Sequence, residues 1–233
     1  MIMLKAIMWD MDGTLIDSEY LWEQALIELS ENKGKRITSD HLRQTRGGNV
    51  NFSFDVISRY IGLDPETIDR QQWREELYAQ VIALMNEHLE IRPGVTELLK
   101  DLRSAGIPMA LVTNTERAVA TTAMQILGDE YFDFVICGDE VESPKPAPDI
   151  YLKAAELLGF AVEECLIFED SFTGMTAAIE SGAHVIGLPE HCDDPLPQGV
   201  YPMRELCGSI SFESVDAALV QQWFARISLN SVL

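Results

Sequence analysis

Three aspartates fall within eight positions near the start of the chain, in "KAIMWDMDGTLIDSE" from Lys5 to Glu19. Asp10 and Asp12 stand one residue apart at the end of an apolar run. Crowded carboxylates repel one another unless a cation offsets them. At this spacing they can also divide labour. Asp10 is a hard oxygen ligand for an ion such as Mg²⁺, and a carboxylate can act as a nucleophile that forms an aspartyl-phosphate. Asp12 can give a proton to a departing alcohol and then take one from water. Asp-Gly is equally a common turn, so "DMDGT" alone leaves a purely structural reading open.

Other polar residues close other apolar runs. Thr113 and Asn114 end "IPMALVTN", Glu169 and Asp170 end "CLIFED", and Lys145 sits in "ESPKPAPD". Glu169 and Asp170 are hard donors of the same kind as Asp10. Thr113, with N–H groups at a helix start, can hold phosphoryl oxygens. Lys145 offers a point charge for a phosphoryl group and a screen for the nucleophile. Gly13 and Gly174 let backbone approach such a site closely. Taken singly, Thr113-Asn114 is a strand-end cap, Lys145 a solvated loop lysine and Asp170 the cap of a following helix. Their joint occurrence, in order and at successive strand ends, argues for one site.

The elements that must position these residues follow from periodicity. "KAIMWD", "IPMALVTN", "FDFVICG", "CLIFED" and "AHVIGL" read as short buried strands alternating with amphipathic helices. That alternation predicts an α/β fold, a doubly wound parallel sheet covered on both faces. Between the first strand and "RPG" at Arg92 to Gly94 the pattern is helical or looped, with no strand expected from Leu15 to Glu90. Ser18 or Asp17 offers the N-cap of a helix through about Asn32, with Leu21, Trp22, Ala25, Leu26 and Leu29 on one face. The expected organisation is a core of 1–15 and 92–233 carrying an inserted helical cap domain of 16–91. In open parallel sheets ligands bind beyond the carboxyl ends of the strands, where the polar residues above converge.

Composition narrows the partners. The 233 residues carry a formal net charge of −21, which argues against nucleic acid and anionic membranes. A small anionic ligand is not excluded, because exposed charges are screened beyond about 8 Å at physiological salt. No apolar run approaches the roughly 18 residues of a membrane helix, and Lys5 and Asp10 interrupt the N-terminal apolar stretch. Four scattered cysteines without a CxxC pair read as buried, reduced thiols of a cytoplasmic protein. A monomer is the default expectation.

Together the motifs resemble the haloacid dehalogenase superfamily of phosphohydrolases: "DMDGT", "LVTN", Lys145 in "SPKPAPDIY" and "FEDSFTG" match its four motifs in order. The insertion after the first motif is similar to the helical cap of the subgroup that includes β-phosphoglucomutase and many sugar-phosphate phosphatases. The resemblance implies a Rossmann-like core, Asp10 as nucleophile and Asp12 as general acid/base. It implies phosphoryl binding by Thr113 and Lys145. Mg²⁺ would rest on Asp10, the carbonyl of Asp12, Asp170 and Glu169. "TRGGN" resembles the subgroup's specificity loop, making Arg46 a candidate substrate contact beside Asn114.

The implied function is Mg²⁺-dependent hydrolysis of a small phosphorylated metabolite, with three alternatives. A true haloacid dehalogenase lacks the second aspartate, so Asp12 argues against it. A β-phosphoglucomutase-like mutase carries a histidine where Trp22 stands. A non-catalytic binding protein would not need all four motifs.

Overall fold

A computed structural model describes residues 3–45 and 49–230. The chain runs β1 (Ala6–Trp9), β2 (Ile16–Asp17), α1 (Glu19–Asn32), α2 (Ser39–Thr45), α3 (Val50–Ile61), α4 (Arg70–His88) and β3 (Glu90–Ile91). It continues through α5 (Val95–Ser104), β4 (Met109–Val112), α6 (Arg117–Leu127), β5 (Phe134–Ile136) and α7 (Asp149–Leu158). Then follow β6 (Cys165–Glu169), α8 (Phe172–Ser181), β7 (His184–Gly187), β8 (Tyr201–Pro202), α9 (Met203–Cys207) and α10 (Ala217–Asn230).

Six strands form one sheet in the order β5-β4-β1-β6-β7-β8, and every neighbouring pair is parallel. The sheet grows from β1 through β4 to β5, then returns to β1's other side with β6. That reversal makes the carboxyl end of β1 the switch point of a doubly wound sheet, where a crevice opens. In register, Ile7 faces Met109 on one side and Leu166 on the other.

Successive side chains of a strand leave on opposite faces. Ile7, Trp9, Met109, Leu111, Leu166 and Phe168 therefore join one apolar cluster, and Ala6, Met8, Ala110, Val112, Cys165 and Ile167 another. The second is closed by α7 and α8 through Ile150, Tyr151, Ala154 and Met175. The first takes Leu98 and Leu99 from α5 and Val220 and Phe224 from α10. Within it Trp9 stacks on Phe168 at 4.4 Å between ring centroids. The same cluster continues into α1, α3 and α4 through Leu21, Leu26, Phe54, Trp73 and Leu77. Each such side chain stabilises the fold by about 1.5–3 kcal/mol when fully buried, so the helices between β2 and β3 are anchored by packing.

Several local expectations change. A strand does lie between Leu15 and Glu90: β2 pairs antiparallel with β3, Ile16 opposite Ile91 and Asp17 opposite Glu90. Two residues are too few for alternation to register, yet this pair joins the two ends of the helical segment. Asp17 is thus in a strand and does not cap α1. Ser18 holds the N-cap position without a side-chain cap bond, because its hydroxyl donates to Asp12. Of the cysteines, all unpaired, Cys137 and Cys165 are buried but Cys192 and Cys207 are exposed. Among the described residues no helix is long and apolar enough to cross a membrane.

Candidate active site

Asp10 follows the last residue of β1, and its N–H donates to the Phe168 carbonyl of β6. The next turn is tight, with Gly13 at φ +80°. A Cβ there would lie 2.1 Å from Asp170 Oδ2, so only glycine lets this loop cross the carboxylate. The loop after β6 is equally close, since a Cβ on Gly174 would stand 1.8 Å from Glu169 Oε1. Ser171 caps α8 by accepting from the Gly174 N–H, so Asp170 is not the helix cap.

Lys145 is buried between two carboxylates. Its ammonium donates to Asp10 Oδ1 at 2.7 Å, Glu169 Oε1 at 2.6 Å and the Val112 carbonyl at 2.9 Å. Glu169, fully buried, also accepts from the Tyr151 hydroxyl at 2.9 Å and from the N–H and hydroxyl of Ser171 at 3.2 Å. Asn114 fixes the backbone of Lys145 from both sides: its Nδ2 donates to the Lys145 carbonyl, and its Oδ1 accepts from the Lys145 N–H. Its amide is thereby committed to holding the lysine, although Asn114 also lines the cavity.

Asp12 accepts four hydrogen bonds. Ser18 Oγ (2.5 Å) and Trp22 Nε1 (3.3 Å) reach Oδ1, while Thr115 Oγ1 (2.7 Å) and Thr113 Oγ1 (3.4 Å) reach Oδ2. Thr113 is buried and accepts from the Thr115 N–H at 3.0 Å. Sequence reasoning missed Thr115, Tyr151 and the catalytic-loop contact of Ser18. The repeat of threonine in "TNT" was the one available signal: just past β4 the Thr115 N–H turns back on the Thr113 hydroxyl, and both hydroxyls reach Asp12.

The electrostatics show a surplus of negative charge. Burial, then the neighbouring Glu169, push the Asp10 carboxyl up to about 7, against the opposing pull of Lys145. Burial, Asp10 and Glu169 hold Asp170 well above the usual carboxylate range. Burial alone would lower the Lys145 ammonium, but Asp10 and Glu169 outweigh it and raise it. Burial and Glu169 keep Tyr151 a neutral donor.

One ammonium therefore faces three carboxylates whose oxygens lie within 4.8 Å of one another, those of Asp10, Glu169 and Asp170. Asp10 Oδ2 is buried with no hydrogen-bond partner. Three clustered carboxylates with the Lys145 ammonium shared between two of them form an all-oxygen donor set with negative charge to spare, which fits a hard divalent cation such as Mg²⁺. Asp10 and Asp170 suit that role best. Both oxygens of Glu169 are already taken by four donors.

These groups open into a cavity of about 210 Å³ between the sheet and the helical segment. Asp10, Asp12, Thr113, Asn114 and Asp170 line it from the core, and Trp22, Leu26, Val50, Leu77 and Tyr78 from α1, α3 and α4. The structure brings together every expected site residue except Arg46, which lies outside the described residues.

A doubly wound sheet with acidic groups and a buried lysine at its switch point is an α/β protein whose polar groups gather where such folds bind their ligands. Residues 4–182 match the model of the haloacid dehalogenase-like hydrolases, and the chain belongs to that family. It is 31% identical over 180 residues to a phosphorylated carbohydrates phosphatase of Thermotoga maritima, covering 77% of this chain and 82% of the relative. It is 32% identical over 197 residues to protein CbbY of Rhodobacter capsulatus, covering 80% and 86%. The crystal structure of a CbbY variant from Rhodobacter sphaeroides, in complex with xylulose-1,5-bisphosphate, superposes with a TM-score of 0.80 at 26% identity. That match covers 94% of this chain and all of the other.

Proposed function

We propose that this enzyme is a Mg²⁺-dependent phosphatase that hydrolyses a sugar phosphate or similar small phosphomonoester through an aspartyl-phosphate on Asp10. The observation that carries the reading is the asymmetric state of Asp10: Oδ1 is held by Lys145 while Oδ2 has no partner. A carboxylate fixed by one oxygen presents the other as a nucleophile of set direction.

Asp10 Oδ2 attacks phosphorus, and the bond from phosphorus to the alcohol oxygen breaks. Asp12 gives its proton to that oxygen, so the leaving group departs as a neutral alcohol. Water then gives a proton back to Asp12 and attacks phosphorus, releasing phosphate and restoring the Asp10 carboxylate. Thr113 holds a phosphoryl oxygen, Lys145 places its positive charge beside the attacked phosphorus through Asp10, and Asn114 and Glu169 hold Lys145. Asp10, the Asp12 carbonyl and Asp170 would hold Mg²⁺, which would supply positive charge against the phosphoryl oxygens. Glu169 in this reading supports the site through Lys145. The helical segment 16–91 serves as the cap that excludes water and chooses the substrate, with Arg46 as a phosphate contact. The names of the relatives support a phosphorylated carbohydrate as substrate. The cytoplasm, with its reduced thiols, is the fitting compartment for four unpaired cysteines, and the monomer is taken as the working unit.

The test is phosphate release from a panel of phosphate esters, with and without Mg²⁺, beside Asp10→Asn. Turnover that needs Mg²⁺ and is lost in the variant supports the proposal. Metal-independent turnover, full activity in Asp10→Asn, or isomerised sugar phosphate in place of free phosphate overturns it.

A further inference from the structure

Trp22 has a contact that its packing does not require. It belongs to α1, whose buried face is made by Leu21, Ala25, Leu26 and Leu29. Trp22 itself is only partly buried, and it lines the cavity. Its indole Nε1 donates to Asp12 Oδ1 at 3.3 Å. Tyr78 of α4 meets its ring edge-on, at 6.3 Å between centroids and 85° between planes. Such edge-to-face pairs favour one ring orientation, and here that orientation aims the N–H at Asp12.

We propose that Trp22 is a positioning residue for the acid/base chemistry of Asp12, acting from the helical segment on the catalytic loop. The inference rests on the phosphatase reading above. Its physical content lies in what an indole can and cannot do. Hydroxyls such as those of Ser18, Thr113 and Thr115 can rotate to donate or accept, whereas an indole N–H only donates. Trp22 therefore carries no proton to substrate or water. Its bond to Oδ1, opposite the threonine bonds to Oδ2, fixes which way the Asp12 carboxyl faces, and so where a proton is offered to the departing alcohol oxygen. A proton donor misplaced by a fraction of an ångström slows the step that needs it. That placement matters most when the leaving group needs a proton.

Trp22→Phe keeps the ring and the Tyr78 contact but removes the donor. The measurement is kcat/KM, which reports steps up to the first irreversible one, on two esters. One is the best sugar phosphate of the panel, and the other is 4-nitrophenyl phosphate, whose leaving group departs readily as an anion. The expected result is a loss of roughly tenfold on the sugar ester and less than twofold on the nitrophenyl ester, with the thermal midpoint held. Equal losses on both esters, or no loss on either, overturn the proposal. If the unaltered enzyme cleaves neither ester, the phosphatase reading itself fails, a result separate from either of these.

Discussion

Replacing Lys145 by methionine fills nearly the same volume while removing the ammonium buried in the site. Asp10 Oδ1, Glu169 Oε1 and the Val112 carbonyl each lose a donor at 2.6–2.9 Å. Removing one partner of a buried ion pair costs about 3–5 kcal/mol, because the remaining charge is left uncompensated. For a chain of this size that corresponds to a fall of roughly 6–20 °C in thermal midpoint. The loss should depend on pH in a defined direction. Asp10 titrates near 7 in the native protein, above its ordinary 3.8, so the folded state holds a proton that the unfolded state has released. Such a group makes stability fall as pH rises towards the folded value. Without Lys145 the folded value moves higher still. Above pH 7 the native enzyme sheds the proton while the variant keeps it, and the gap between them widens by about 1.4 kcal/mol per pH unit until the variant also titrates. Urea unfolding followed by circular dichroism, in chelator at pH 6 and pH 8.5, reads both quantities. Mg²⁺ should narrow the gap by supplying the missing positive charge. A loss under about 1 kcal/mol, or the same gap at both pH values, would refute the reasoning.

Two further substitutions probe the supports of the site. Asn114→Ala removes both side-chain bonds to the Lys145 backbone; steady-state kinetics should show a fall of about 10–100-fold in kcat, since lysine position and not substrate contact is disturbed. A rise in KM at unchanged kcat would instead make Asn114 a substrate ligand. Gly174→Ala drives a Cβ to within 1.8 Å of Oε1 of Glu169, a carboxylate that four donors hold in place, two on each oxygen. The overpacking should cost about 1–3 kcal/mol in urea unfolding, and an unchanged midpoint would mean that Glu169 moves freely.

The sheet, its parallel order and the candidate acidic cluster were legible because each rests on a signal spanning many residues. Apolar runs of four or five residues marked the central strands, and polar residues closing those runs marked the strand ends. The missed features are short or depend on distant partners. β2 and β3 have two residues each, too few to alternate, so Asp17 read as a helix cap when it pairs with Glu90. Ser18 had the sequence signature of a cap, but its hydroxyl finds a charged acceptor in Asp12, a stronger partner than a helix N–H. Trp22 fitted the apolar face of α1, and nothing local told that its N–H would meet a carboxylate ten residues earlier. Asn114 lines the cavity as its place at a strand end suggested, but its hold on Lys145 was not visible. The Lys145 backbone that occupies its amide lies 31 positions away.

The central claim is that phosphorus is transferred to Asp10, and the acyl phosphate itself can be trapped. Enzyme mixed with Mg²⁺ and its best phosphate ester is quenched within a turnover and reduced with borohydride, which converts an acyl phosphate to an alcohol. Peptide mass spectrometry then locates the product. The account predicts homoserine at position 10, dependent on both substrate and Mg²⁺, with Asp12 and Asp170 unmodified. Turnover with no homoserine at position 10, or homoserine at Asp12 or Asp170 in its place, would contradict it.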